Sequence, residues 1–131
     1  MVPRGYSAVR QYRESGVTSM LEDASPHRLI AMLYDGALER LALALSGMSH
    51  RNFQDKLRGI DSTQAILDHL RSVLDYKAGG DIAMRLAALY DYMMRRLIHA
   101  KLHDDMEAVK EVMELLRTIK FSWDAIAPKP H

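Results

Sequence analysis

The sequence predicts an all-α fold: an antiparallel, up-down four-helix bundle with an N-terminal arm. Three observations lead there. Apolar residues recur at three- and four-residue spacing from Pro26 onward. No segment alternates apolar and polar residues as a strand would. Proline and glycine sit at the ends and at a few breaks, dividing the chain into segments of similar length.

Residues 1–23 have no sustained period. Tyr6, Val9, Tyr12 and Val17 are their apolar features, and the segment reads as an arm. Residues 1–5, Met-Val-Pro-Arg-Gly, have the form of a protease-site remnant or of native sequence, and take no part in the fold reasoning. Helix one is expected from about Pro26 to Leu45. Ser25 is a good N-cap because its hydroxyl accepts from an orphan backbone N–H. Pro26 fits the first helical position, where its missing N–H is harmless. Ile30, Leu33, Tyr34, Ala37, Leu38, Leu41 and Leu45 share one face. Gly36 lies inside this helix, either as a tolerated defect or as a point of close helix approach. Gly47 is expected to end it.

Helix two is expected from about Asn52 to Tyr76, with Phe53, Leu57, Ile60, Leu67 and Leu74 on its main face. Gly59 is expected to weaken its first half. Gly79-Gly80 is the next break, and Asp81 caps helix three, which reaches about Leu102. Asp104 then caps helix four, which carries Met106, Val109, Val112, Met113, Leu116, Ile119 and Trp123 toward the core. Pro128 stops further extension. Helices of this length span about 30 Å, and short connections make sequential helices antiparallel neighbours.

The totals narrow the function. A length of 131 residues suits one domain. There is no cysteine, so disulfides and thiolate metal sites are excluded, in keeping with a cytosolic protein. A formal net charge of +1 gives no field that points to nucleic acid or to an acidic membrane. The longest uncharged stretch, Leu41 to Ser49, is far short of the ~20 residues of a membrane span. No apolar run follows Arg4, so no signal peptide is expected. Nine methionines beside two phenylalanines and one tryptophan fit either an aliphatic core or an adaptable binding surface.

Helix three has more apolar surface than a core requires. Ile82, Leu86, Leu89, Tyr90, Met93, Leu97 and Ala100 form one face about 100° wide, enough for a core. Ala83, Ala87, Met94 and Ile98 continue beside it, and Met84 and Leu102 extend the arc to roughly 220°. On helix two, Ile66, Leu70 and Val73 lie off the main stripe. Either helix three is central and covered on both sides, or these residues line a groove for the arm or for a partner's amphipathic helix.

Enzyme chemistry finds no support. No Glu-x-x-His pair of the di-iron kind is present. His99 and His103 share a polar face at the end of helix three and read as a surface pair. Glu111 and Glu114 are expected in solvent, with no raised pKa to make a general acid. Gly79-Gly80 lacks the lysine of a phosphate loop, and Arg95-Arg96 is too short for a nucleic-acid patch. No catalytic residue, cofactor or metal is expected.

Several blocks together resemble one family. These are Ala24-Ser-Pro…Leu-Ile-x-Met-Leu-Tyr-Asp-Gly36, Gly79-Gly-Asp-Ile-Ala83, Leu89-Tyr-Asp-Tyr-Met93, Arg95-Arg-Leu97 with Ala100, and Trp123. In order and spacing the chain resembles the flagellin-export chaperones, FliS, from about Tyr12 to Trp123. It departs from the family pattern at Ser62-Thr63 before Gln64 and at Lys101 after Ala100. The resemblance implies a cytosolic chaperone that binds the disordered C-terminal segment of flagellin. It would prevent premature polymerisation and deliver its cargo to the flagellar type III export gate, without ATP or cofactor. The expected partner-binding residues are Ile66, Leu70 and Val73 on helix two and Ala87, Met94 and Ile98 on helix three. Gln64, Asp91 and Arg95 are expected to add polar contacts, and Tyr6, Val9 and Tyr12 to cover the groove when it is empty. The rival readings are an adaptor bundle that forms a homodimer through its second apolar face, and a metal-dependent bundle enzyme.

Overall fold

The computed structural model describes residues 25–127. They form four α-helices: α1 (Pro26–Ser49), α2 (Phe53–Ser72), α3 (Tyr76–His103) and α4 (Met106–Ala125). No strand is present among the described residues. Each helix packs on its two neighbours in a closed ring, α1 on α2 and α4, and α3 on α2 and α4. With such short connections, sequential helices run antiparallel. The expected arm lies outside the described residues.

Each helix start is fixed by a side chain. Ser25 accepts from the Arg28 amide at 3.1 Å, as its sequence position predicts. Asn52 accepts from the Asp55 amide at 3.1 Å. Asp75 takes the amides of Lys77 and Ala78 at 3.1 and 3.0 Å, and Asp105 takes that of Ala108 at 3.2 Å.

These caps correct several expected boundaries. Asp75 can cap only from extended backbone, so α2 stops at Ser72 rather than Tyr76, and α3 starts at Tyr76 rather than after Asp81. The Gly79-Gly80 break is instead a kink within α3. Gly80 has φ +49° and ψ −126°, a turn geometry that residues with a β-carbon rarely adopt. Asp104 does not cap α4; it ends α3 in the left-handed conformation, and Asp105 is the cap.

Gly47 does not end α1. It is buried where the start of α2 closes on α1: a β-carbon there would lie 2.5 Å from the Lys56 amide nitrogen. Gly59 answers it from α2, where a β-carbon would lie 2.4 Å from the Arg40 carbonyl oxygen. The two glycines let the α1 and α2 backbones approach closely. Gly59 therefore serves the packing it was expected to weaken.

The core contains Tyr34, Ala37 and Leu41 of α1, Ile60 and Leu67 of α2, Tyr90, Met93 and Leu97 of α3, and Val109, Val112 and Leu116 of α4. At its centre the Tyr34 and Tyr90 hydroxyls share a hydrogen bond of 2.6 Å, so neither is buried without a partner. Burial pushes both phenols above their ordinary pKa.

α2 buries Ile60 and Leu67 as expected, but its first turn departs from the expected face. Phe53 is exposed, whereas Lys56 is buried. The Lys56 ammonium donates to the Lys101 carbonyl at 2.9 Å and to the Asp104 carboxylate, closing the C-terminal end of α3.

Trp123 fastens the other end of the bundle. Its ring stacks on His27 at 4.5 Å, and its indole N–H donates to the His27 carbonyl at 2.9 Å. His27 Nε2 lies 2.7 Å from the Trp123 carbonyl. A carbonyl only accepts, so Nε2 carries the proton. The start of α1 is thereby clamped to the end of α4.

Candidate functional site

The α2–α3 seam is tied at successive levels by polar contacts. Lys101 pairs with Asp61 at 2.7 Å. Gln64 Nε2 donates to the Met94 carbonyl at 2.9 Å. Arg71 pairs with Asp91, and with Asp68 at 2.8 Å. Gln64 Oε1 is buried without a partner among the described residues.

Beside this seam, α3 presents a stripe of apolar side chains to solvent, interrupted by Asp91 and Arg95. Met84, Ile98 and Leu102 are 62, 51 and 71% exposed. Ala87 and Met94 are half-buried along the same side, and Arg95 is exposed next to them. With an α-helix rising about 1.5 Å per residue, Met84 to Leu102 spans about 27 Å, or five turns. The opposite face of α3, expected to bury Ile82, leaves that residue exposed, while Ala83 is in the core.

The α2 residues named from sequence do not form one surface with this stripe. Leu70 is a core residue, 2% exposed. Ile66 lines a trough on the α1 side together with Met32, Leu33 and Gly36. Val73 is exposed at the end of α2 and lines a cavity of ≈ 390 Å³ with Ile30, Leu74, Ile82, Leu86 and Trp123. The reason is helical geometry: Ile66 stands about 200° round the helix from Gln64, which faces α3. Thus the structure brings Gln64, Met94 and Asp91 together at the α2–α3 seam, with Ala87, Arg95 and Ile98 on the neighbouring side of α3. It sets Ile66 in the α1-side trough and Leu70 with Val73 at the cavity beside Trp123, all three apart from that seam. Tyr6, Val9 and Tyr12 lie outside the described residues.

The polar groups of α3 and α4 hold one another. Glu111, expected in solvent, accepts from the Tyr92 hydroxyl and from Arg96 Nε at 2.8 Å. These two donors hold its carboxyl below the usual range. His99 bonds Asp105 at 3.1 Å and its ring lies 4.6 Å from that of His103. Among the described residues no group of three His, Cys, Asp or Glu side chains is arranged to hold a metal. No described helix is long and apolar enough to cross a membrane.

A closed helical ring with apolar side chains left on its outer surface has the build of a protein that binds other chains. Sequence comparison gives the family. The family model for the flagellar protein FliS matches residues 7–130, and the chain belongs to that family. It is 38% identical over 120 residues to the flagellar secretion chaperone FliSB of Pseudomonas aeruginosa, covering 92% of this chain and 95% of that one. It is 40% identical over 124 residues to the flagellar secretion chaperone FliS of Salmonella typhimurium, covering 94% of this chain and 92% of that one. For the flagellar secretion chaperone FliS of Vibrio cholerae the identity is 36% over 124 residues, covering 95 and 91%. All three relatives are named as chaperones, a role that involves no catalysed reaction.

Proposed function

We propose that this chain is a cytoplasmic flagellar secretion chaperone, one domain over residues 1–131. It holds the disordered C-terminal segment of flagellin, keeps it from polymerising early and hands it to the export gate. The observation that carries this reading is the exposed stripe of α3 from Met84 through Ile98 to Leu102. A disordered segment loses conformational entropy when it folds on a partner, so it needs a long apolar surface in return. The stripe supplies one, and the cavity beside Val73 and Trp123 supplies a second anchoring point at the end of the bundle. Arg95 and Asp91 on α3 give polar contacts that set register.

The test is calorimetric titration with the C-terminal segment of flagellin. Saturable binding with a negative heat-capacity change is expected. Ile98→Asp with Leu102→Asp is expected to weaken it at least tenfold while helicity is kept, because both side chains are exposed. A folded double variant that binds as well as wild type would remove the stripe from the site. A dimer that persists unchanged with and without the flagellin segment would favour the adaptor reading.

A further inference from the structure

The fold explains Gly47 and Gly59, but not Gly36. Among the described residues, a β-carbon on Gly36 would meet only Arg40 Nη1 at 3.2 Å and Ile66 Cδ1 at 3.9 Å. The first is the far end of a flexible side chain, and the second is ordinary contact. Nothing among the described residues needs a glycine there, and glycine is unfavourable inside a helix. What its missing side chain does is leave open the floor of a trough of ≈ 650 Å³ along α1, lined also by Leu29, Met32, Leu33 and Ile66.

The rim carries charge. Asp35 is engaged by Lys120 at 3.1 Å. Arg28, Glu39 and Arg40 have no ion-pair partner among the described residues, which leaves the rim net positive. His69 completes it on the α2 side. Arg40, having no carboxylate to meet, folds back to the Gly36 carbonyl at 3.1 Å and lies across the open floor. From Arg28 to Arg40 the trough runs about 18 Å, the length of three helical turns.

We propose that this trough is a docking site for an amphipathic helix of a partner protein. The helix is about three turns long, sets a small residue over Gly36 and offers a carboxylate to Arg40. Gly36 lets the two backbones approach, Met32 adapts to the apolar face of the helix, and Arg40 swings off the floor to pair with the acid. This surface lies on α1 and is separate from the α3 stripe, so the proposal does not depend on flagellin binding.

The test uses side-chain-stapled helical peptides with a leucine face and a central alanine, carrying either glutamate or lysine where Arg40 would be met. They are titrated by fluorescence anisotropy against the full chain. The glutamate peptide is expected to bind roughly tenfold tighter than the lysine peptide. Arg40→Glu is expected to reverse that preference. Gly36→Leu fills the floor without a backbone clash, so it is expected to keep its helicity, to melt no lower than wild type and to lose about tenfold in affinity for both peptides. Unchanged binding by folded Gly36→Leu, or a charge preference that Arg40→Glu does not move, would overturn the proposal. So would binding seen only after deletion of residues 1–24, which would make that segment the occupant. Dimerisation of the wild type that Gly36→Leu abolishes would make a second copy the occupant, and would also overturn it.

Discussion

Replacing Gly59 with alanine places one methyl group at the tightest point between α1 and α2. The new carbon would lie 2.4 Å from the Arg40 carbonyl oxygen, 2.7 Å from the Ala44 nitrogen and 2.8 Å from the Ala44 β-carbon. Non-bonded heavy atoms rest about 3.5 Å apart, so the helices must separate by about 1 Å. Two of the three obstacles are backbone atoms, which no side-chain rotation can move. Overpacking costs about 1–3 kcal/mol, and with backbone atoms in the way the upper part of that range, about 2–3 kcal/mol, applies; the shift also loosens contacts along the α1–α2 interface. Alanine returns up to about 1 kcal/mol of helix propensity, so the net effect is a loss of about 1–2 kcal/mol. Gly36→Ala is the control. It gains the same propensity with nothing to displace but the Arg40 guanidinium, and is expected to stabilise by about 0.5–1 kcal/mol. The gap between the two variants is thus about 1.5–3 kcal/mol, or roughly 5–12 °C in melting temperature for a domain of this size. Urea unfolding followed by circular dichroism measures it, with an unchanged m-value as the check that only stability moved. If Gly59→Ala is as stable as wild type, or if both variants shift the same way, the close-approach argument fails.

Other expectations follow from particular contacts. His27→Ala removes the ring stacked on Trp123, the only tryptophan in the chain, so its fluorescence should shift to the red and the C-terminal turn of α4 should lose hydrogen-exchange protection. Tyr34→Phe leaves the Tyr90 hydroxyl buried and unpaired, at a cost of about 1–3 kcal/mol, and Tyr90→Phe on top of it should restore part of that in a double-mutant cycle. Burial raises both phenols, so the folded chain keeps protons that the unfolded chain releases near pH 10. Stability should therefore fall as pH rises through about 10, and the double phenylalanine variant should flatten that fall in urea midpoints. The Glu111 carboxyl is depressed by Tyr92 and Arg96, so its contribution is present above the ordinary glutamate pKa and is lost as pH falls through the folded value. Glu111→Gln should remove that part of the acid dependence.

The sequence reading recovered what local patterns encode. Four helical segments, the Ser25–Pro26 start and the inward face of α4 all follow from periodicity and capping chemistry. It failed where a distant partner decides. A lysine on the inward face of α2 is read as a solvent residue until the end of α3 is known to lie beside it. Gly47 reads as a helix stop until the start of α2 is known to need its space. The boundary between α2 and α3 turns on the Asp75 cap, which the stronger signal of the glycine pair nearby hides in the sequence. The exposed apolar surface was legible on α3, where an excess arc of apolar residues can be counted. It was not legible on α2, because a helical wheel gives angles but not neighbours: Ile66 faces the α1-side trough, whereas Leu70 and Val73 meet at a cavity by Trp123.

The excess arc on α3 raises a physical question: why does it not collapse onto the bundle? The seam beside it is held by directional polar contacts, Lys101 to Asp61, Gln64 to the Met94 carbonyl and Arg71 to Asp91. Such contacts fix the rotation and register of α3 against α2, so Met84, Ile98 and Leu102 cannot turn inward without breaking them. Exposed ion pairs add little to stability, but they need only bias one register over another. The consequence is a division of labour along one helix. Ile98 and Leu102 are exposed and can be changed without touching the core. Met94 packs against the core and its backbone carbonyl anchors Gln64. Met94→Asp should therefore lower stability as well as binding, whereas Ile98→Asp should lower binding alone. Comparing the two in matched melting and titration experiments separates a surface kept apolar for a partner from one that is apolar only because it packs. Equal stability losses for both substitutions would refute that separation.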